Sequence, residues 1–184
     1  MIGVIWNVQG LGNPGTRSAL LAHVRDHSPD FIFLSETRLR REGAERVRVL
    51  LGFDGCMTVD CLGRSGGLML LWKEPVRFLL GTFSRYHIEG DLVSELGESW
   101  RFVEIYGDPV SAQRRHTWEL LSRLRSSFTG PWLVGGDMNE VASNSEIRGG
   151  RDRGPGQLSA FREMILDCDI HDLGFEGDPF TWRR

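Results

Sequence analysis

Gly67-Leu68-Met69-Leu70-Leu71-Trp72 is a short apolar run, and Val76 to Phe83, Ile88 to Glu95 and Trp100 to Tyr106 follow it with no helical periodicity between them. With Met57 to Asp60 ahead of them, these read as consecutive short strands separated by turn residues, which predicts antiparallel hairpins rather than an all-parallel sheet. The flanks read differently. Ile2 to Asn7 is a β-branched apolar strand, Gly10 to Gly15 interrupts it, and a helix N-capped by Thr16 carries Leu20, Leu21 and Val24 on one face. Ser28-Pro29 ends that helix before a second strand, Phe31 to Ser35. Arg41 to Leu51 is a helix closed by Gly52, and Gln113 to Phe128 is another. Pro131 to Val134 is a buried strand, after which Gly135-Gly136 lets the backbone turn sharply. Leu158, Phe161 and Ile165 mark a last helix, and Phe180-Thr181-Trp182 opens one more strand. Helices on both sides of an antiparallel middle make the class α/β (α+β), with two packed sheets expected rather than one open sheet.

Composition narrows the function. The 184 residues carry 22 basic and 25 acidic side chains, and 40% of them are hydrophobic, which describes a chain able to bury a core. No apolar stretch approaches the roughly 20 residues of a membrane span, and no basic-then-apolar leader opens the chain, so an intracellular protein without membrane contact is expected. Cys56, Cys61 and Cys168 lack C-x-x-C spacing and read as free, partly buried thiols. Lys73 is the sole lysine among the basic residues, and arginine forks suit phosphate. The balance by thirds of the chain is 0, −1 and −2, so any nucleic-acid contact is local.

Gly10-Leu11-Gly12-Asn13-Pro14-Gly15 matches G-x-G-x-x-G, with Glu36 standing 21 residues after its last glycine. In a dinucleotide fold, however, the strand runs straight into the first glycine. Here Asn7-Val8-Gln9 intervenes and Pro14 delays the helix, so a dinucleotide-binding domain is the last of the readings.

Polar residues at strand ends point elsewhere. Asn7, Glu36 and the Asp137/Asn139 pair each follow a buried strand and would emerge at a sheet rim. In an extended segment Asp137 and Asn139 would share one face, about 6 to 7 Å apart. Carboxylate and amide oxygens together are the environment that Mg²⁺ prefers, with water and phosphate completing its shell.

Five motifs in order, Trp6 to Gly12, Leu34 to Leu39, Gly63 to Leu68, Tyr106 to Pro109 and Gly136 to Glu140, resemble the endonuclease/exonuclease/phosphatase superfamily. More narrowly, Arg64 to Leu68 with Leu71-Trp72-Lys73, Ser145-Glu146 leading into Arg148-Gly149-Gly150, and Leu173-Gly174-Phe175 resemble the apurinic-endonuclease-like domain of plant LINE-type (non-LTR) retrotransposons.

The resemblance implies a four-layer sandwich, two packed mixed β-sheets flanked by helices, formed by residues 1–184 as one domain that is C-terminally incomplete, truncated before its last strands. It implies a Mg²⁺-dependent phosphodiesterase, Mn²⁺ being an alternative cofactor, in which Glu36, Asn7 and Asp137 hold the metal. Asp137 would also deprotonate the attacking water, Asn139 would hold water and phosphate in line, and Tyr106 would donate a hydrogen bond to the phosphate. DNA would be nicked to prime reverse transcription by a domain farther along the element, with the nucleus as its place of action. Arg148, Arg151 and Arg153 in a glycine-rich loop would reach the DNA backbone. Gln9 stands where many cellular members carry an acid, and the resemblance implies that the family's late aspartate and Asp-His pair would lie beyond Arg184. Weak activity or none is therefore expected of the chain as given. The five histidines, His23, His27, His87, His116 and His171, match no motif and are expected in surface or capping positions. The alternatives are a non-catalytic degenerate remnant or protein-binding domain, and a phosphatase acting on inositol or lipid phosphates.

Overall fold

A computed structural model describes residues 1–180. The chain divides into two compact units, residues 1–106 with 130–137, and residues 107–129 with 138–184.

The first unit holds two four-stranded mixed sheets. Strands β1 (Gly3–Asn7), β2 (Phe31–Ser35), β3 (Gly55–Val59) and β4 (Leu68–Trp72) form one, in the order β1-β2-β4-β3. Strands β5 (Arg77–Ser84), β6 (His87–Val93), β7 (Ser99–Tyr106) and β8 (Trp132–Asp137) form the other, in the order β5-β6-β7-β8. Only β1 with β2 and β7 with β8 pair parallel, so the hairpin-rich middle is antiparallel, as the run of uninterrupted short strands predicts.

Two cores result, because strands β2 and β4 are apolar on both faces. Phe31, Phe33, Leu68 and Leu70 point one way and pack with Phe78, Ile88, Leu92, Phe102 and Tyr106, joining sheet to sheet. Ile32, Leu34, Met69 and Leu71 point the other way and pack with Leu20 of α1 (Pro14–His27) and Ala44, Val47 and Leu51 of α2 (Arg41–Leu51). Helices thus cover the outer face of the first sheet. The second unit contains α3 (Arg114–Ser126) and α4 (Pro155–Asp167), joined through Trp118 and Phe161, whose ring centroids lie 5.0 Å apart. Two mixed sheets with flanking helices are therefore present, in an α/β sandwich.

Several boundaries differ from the sequence reading. Helix α1 starts three residues earlier than a Thr16 cap allows. Asn13 is the N-cap, its side chain accepting from the Gly15 N–H, and Pro14 fills the first turn, where its missing N–H costs nothing. Strand β8 does not turn away at Gly135-Gly136; it runs on to Asp137, which pairs with Tyr106. Gly136 is required there because its φ is +124° and a Cβ would overlap the carbonyl of Ile105.

His87 is 4% exposed and is neither a surface nor a capping residue. Its ring bridges the hydroxyls of Ser84 (2.7 Å) and Thr82 (3.1 Å), and Thr82 continues to Glu89, which also pairs with Arg101. That network ties the β5–β6 hairpin to β7 through groups that burial would otherwise leave unsatisfied. The cysteines are free, Cys61 and Cys168 buried and Cys56 half-buried, where burial pushes its thiol up to about 12. The strand read from Phe180 lies, but for Phe180 itself, outside the described residues. No helix among the described residues is long and apolar enough to cross a membrane.

Candidate active site

Four of the sequence-nominated residues meet at one end of the first unit, and the strand register explains why. Asn7 and Ser35 are the paired last residues of β1 and β2, so Asn7 and Glu36 leave the first sheet side by side. Tyr106 and Asp137 are the paired last residues of β7 and β8 in the second sheet. The side chains then cross between sheets. Nδ2 of Asn7 donates to Oε1 of Glu36 and to Oδ2 of Asp137, both at 2.9 Å, and the hydroxyl of Tyr106 donates to the same Glu36 oxygen at 2.8 Å.

Backbone geometry holds Glu36 there. It has φ +53°, a left-handed conformation disfavoured for a side chain with a Cβ, and the next two residues are pinned by Thr37 N–H to Gly67 O and Arg38 N–H to Gly66 O. Glycines 66 and 67 both have positive φ, which accounts for the Arg64-Ser-Gly-Gly-Leu run. Arg38, which the sequence reading quoted only as part of a motif, places Nη2 3.7 Å from Oε2 of Glu36. Its guanidinium is about half exposed, so the pair is a weak one.

One amide thus bridges the two carboxylates. Glu36 and Asp137 are hard oxygen donors, and Oδ1 of Asn7, which accepts from the Gln9 N–H at 3.3 Å, would join them on turning; a set this small would fit Mg²⁺, which keeps several of its waters, better than a metal demanding a closed cage. No group of three or more His, Cys, Asp or Glu side chains suited to a metal occurs among the described residues.

Beneath this rim, Glu104 lies one pleat below Tyr106 on the same face of β7 and opposite Gly135. It is 0% exposed, and neither carboxylate oxygen has a partner among the described residues, so burial pushes its pKa well above the usual carboxylate range. The alternation of β7 could have flagged it: Phe102, Glu104 and Tyr106 share a face whose other members are core.

The remaining nominated residues belong to the second unit. Asn139 has φ +53° and so is not in the extended conformation that would put it on the Asp137 face; its Nδ2 donates to Gly107 O at 2.7 Å. Glu140, the next residue, has a side chain only 2% exposed that accepts from Arg114, Arg153 and Gln157. Arg153 is thereby committed to Glu140, and Asn144 brackets its backbone. Arg151 is exposed, and Arg148 sits over the Phe180 ring, 5.7 Å from its centroid.

Comparison with known proteins bears on the family and the fold. A family model described as endonuclease/exonuclease/phosphatase family matches residues 4–184. No curated protein matches the chain in sequence. Among solved structures, the endonuclease domain of TRAS1, a telomere-specific non-LTR retrotransposon, superposes with TM-score 0.68 at 14% identity, over 95% of this chain and 75% of that one. The 3′-5′ exonuclease NExo from Neisseria meningitidis gives 0.63 at 16% identity, over 90% and 70% of the two chains. An AP endonuclease from Archaeoglobus fulgidus gives 0.62 at 13% identity, again over 90% and 70%. At these identities the superpositions speak for the fold, and the family match carries the assignment: the chain belongs to the endonuclease/exonuclease/phosphatase family.

Proposed function

We propose that this chain is a Mg²⁺-dependent phosphodiesterase that nicks DNA, the endonuclease domain of a LINE-type retroelement of the plant kind, acting in the nucleus ahead of a reverse transcriptase domain. The observation that carries the reading is the single Asn7 amide joining Glu36 to Asp137 beneath the Tyr106 hydroxyl. A divalent cation bound by Glu36, Asn7 and Asp137 would polarise a phosphoryl oxygen and stabilise charge on the leaving oxygen. Asp137, at the strand end, accepts the proton of an attacking water. Tyr106, whose hydroxyl now donates to Glu36, would donate a hydrogen bond to a phosphate oxygen. Asn139 orients the water and the phosphate, and Arg148 and Arg151 contact the DNA backbone.

The likeness to the TRAS1 endonuclease domain supports DNA over a phosphorylated lipid or inositol. End analysis of products from a labelled duplex tests the reaction. Extendable 3′-hydroxyl and 5′-phosphate ends are expected, whereas phosphate release from inositol phosphates without DNA cleavage would replace the reading by the phosphatase one.

A further inference from the structure

Glu140 takes no part in the chemistry above, yet three side chains donate to its carboxylate. Its buried side chain accepts from Nη1 of Arg114 at 2.7 Å, Nε2 of Gln157 at 2.5 Å and Nε of Arg153 at 3.1 Å. Those donors come from α3, α4 and the loop between Asn144 and Gly154. Burial alone would push the carboxyl up, but the bonds from Gln157 and Arg114 and the Val141 N–H outweigh it and hold Glu140 below the ordinary range. It is an anion at neutral pH.

Arg114 explains what the anion does. It is 7% exposed, and its two other donors reach main-chain carbonyls, Nε to Asp108 O at 3.0 Å and Nη2 to Pro109 O at 3.2 Å. One guanidinium therefore spans from the segment after Tyr106 to the turn after Asp137. The same two segments meet at Asn139, whose amide donates to Gly107 O, and they lie so close that a Cβ on Gly107 would overlap the Met138 carbonyl. Tying Nδ2 of Asn139 to the Gly107 carbonyl fixes which way its amide points, and the Glu140–Arg114 pair holds the next two carbonyls of the same segment, Asp108 O and Pro109 O. On its other side Glu140 anchors Arg153, whose N–H and C=O are both bonded by Asn144, closing the loop that carries Arg148 and Arg151.

We infer that Glu140 is a positioning residue whose buried carboxylate sets both the orientation of the Asn139 amide and the order of the Arg148–Arg151 loop. A side chain that touches neither metal nor DNA then governs turnover through Asn139 and DNA affinity through the loop. This rests on the phosphodiesterase reading for its kinetic consequences and on the hydrogen bonds alone for its structural ones.

The test is a double-mutant cycle of Glu140→Gln with Asn139→Ala in the full chain, measured as kcat and KM for nicking. Glu140→Gln should lower kcat about tenfold or more and raise KM for DNA, and Asn139→Ala should then cost under about twofold where alone it costs far more. Arg114→Lys, which keeps the charge but loses the fork, should reproduce both changes and serves if the glutamine variant does not fold. In EDTA, hydrogen exchange at residues 138–141 should quicken in Glu140→Gln with no activity required. If the wild-type chain cuts nothing, the kinetic arm is silent for every variant and the exchange alone decides the structural claim. Additive effects of the two substitutions, or unchanged exchange in a folded variant, overturn the inference.

Discussion

The hydroxyl of Tyr106, at the end of β7, donates to Oε1 of Glu36, just past the end of β2, at 2.8 Å across 70 residues of sequence. This bond joins the rims of two different sheets and shares its acceptor oxygen with the Asn7 amide. A hydrogen bond to a charged acceptor contributes about 1.5 to 3 kcal/mol. Tyr106→Phe should therefore lower kcat for nicking about ten- to hundredfold while the phenylalanine ring preserves the packing. Steady-state kinetics with a thermal melt alongside check this; unchanged kcat would leave Tyr106 as an aromatic of the core alone.

Gly136 lets β8 bring Asp137 level with Tyr106. Gly136→Ala would place a methyl against the Ile105 carbonyl at a φ of +124° that alanine resists. Strain of this kind together with overpacking costs about 3 kcal/mol or more. A lowered urea midpoint and lost nicking are expected together, since the strand cannot shift without moving Asp137. Alanine at Gly149, where φ is +73° and no atom lies near the added Cβ, meets no clash and should cost far less.

Glu104 makes stability depend on pH. Its folded pKa is well above the value of about 4.3 that an unfolded chain gives it, so the folded state keeps a proton that the unfolded state releases. Stability is then complete below the unfolded pKa and falls as pH rises toward the folded one, by about 1.4 kcal/mol per pH unit. Glu104→Gln should remove that slope and raise stability at neutral pH. Urea unfolding of both proteins between about pH 4 and 8 measures the difference, and parallel curves would mean that Glu104 is ionised and partnered.

Much of the fold was legible in residue order. The two-faced apolar runs of β2 and β4 predict burial on both sides, and the missing helix between Cys56 and Tyr106 predicts antiparallel hairpins. What failed was local or long-range. Thr16 is an acceptable cap by type, and only the Asn13-Pro14 geometry shows why the helix begins earlier. Gly135-Gly136 looks like a turn until its neighbour Ile105 is known, and His87 looks solvated until Thr82 and Ser84 are placed around it. Asn7, Glu36, Tyr106 and Asp137 were nominated as strand-end residues, but that one amide would bridge two carboxylates depends on β1 and β8 lying in register across two sheets. The role of Glu140 was hidden for a similar reason, because its partners lie 13 to 26 residues away.

The most direct measurement is relaxation of supercoiled plasmid by the purified chain in Mg²⁺, run beside an EDTA control and Glu36→Gln. Slow nicking that disappears in both controls is predicted, because the carboxylate that Asn7 and Tyr106 hold in place is the proposed metal ligand. Nicking that survives Glu36→Gln or EDTA would contradict the account.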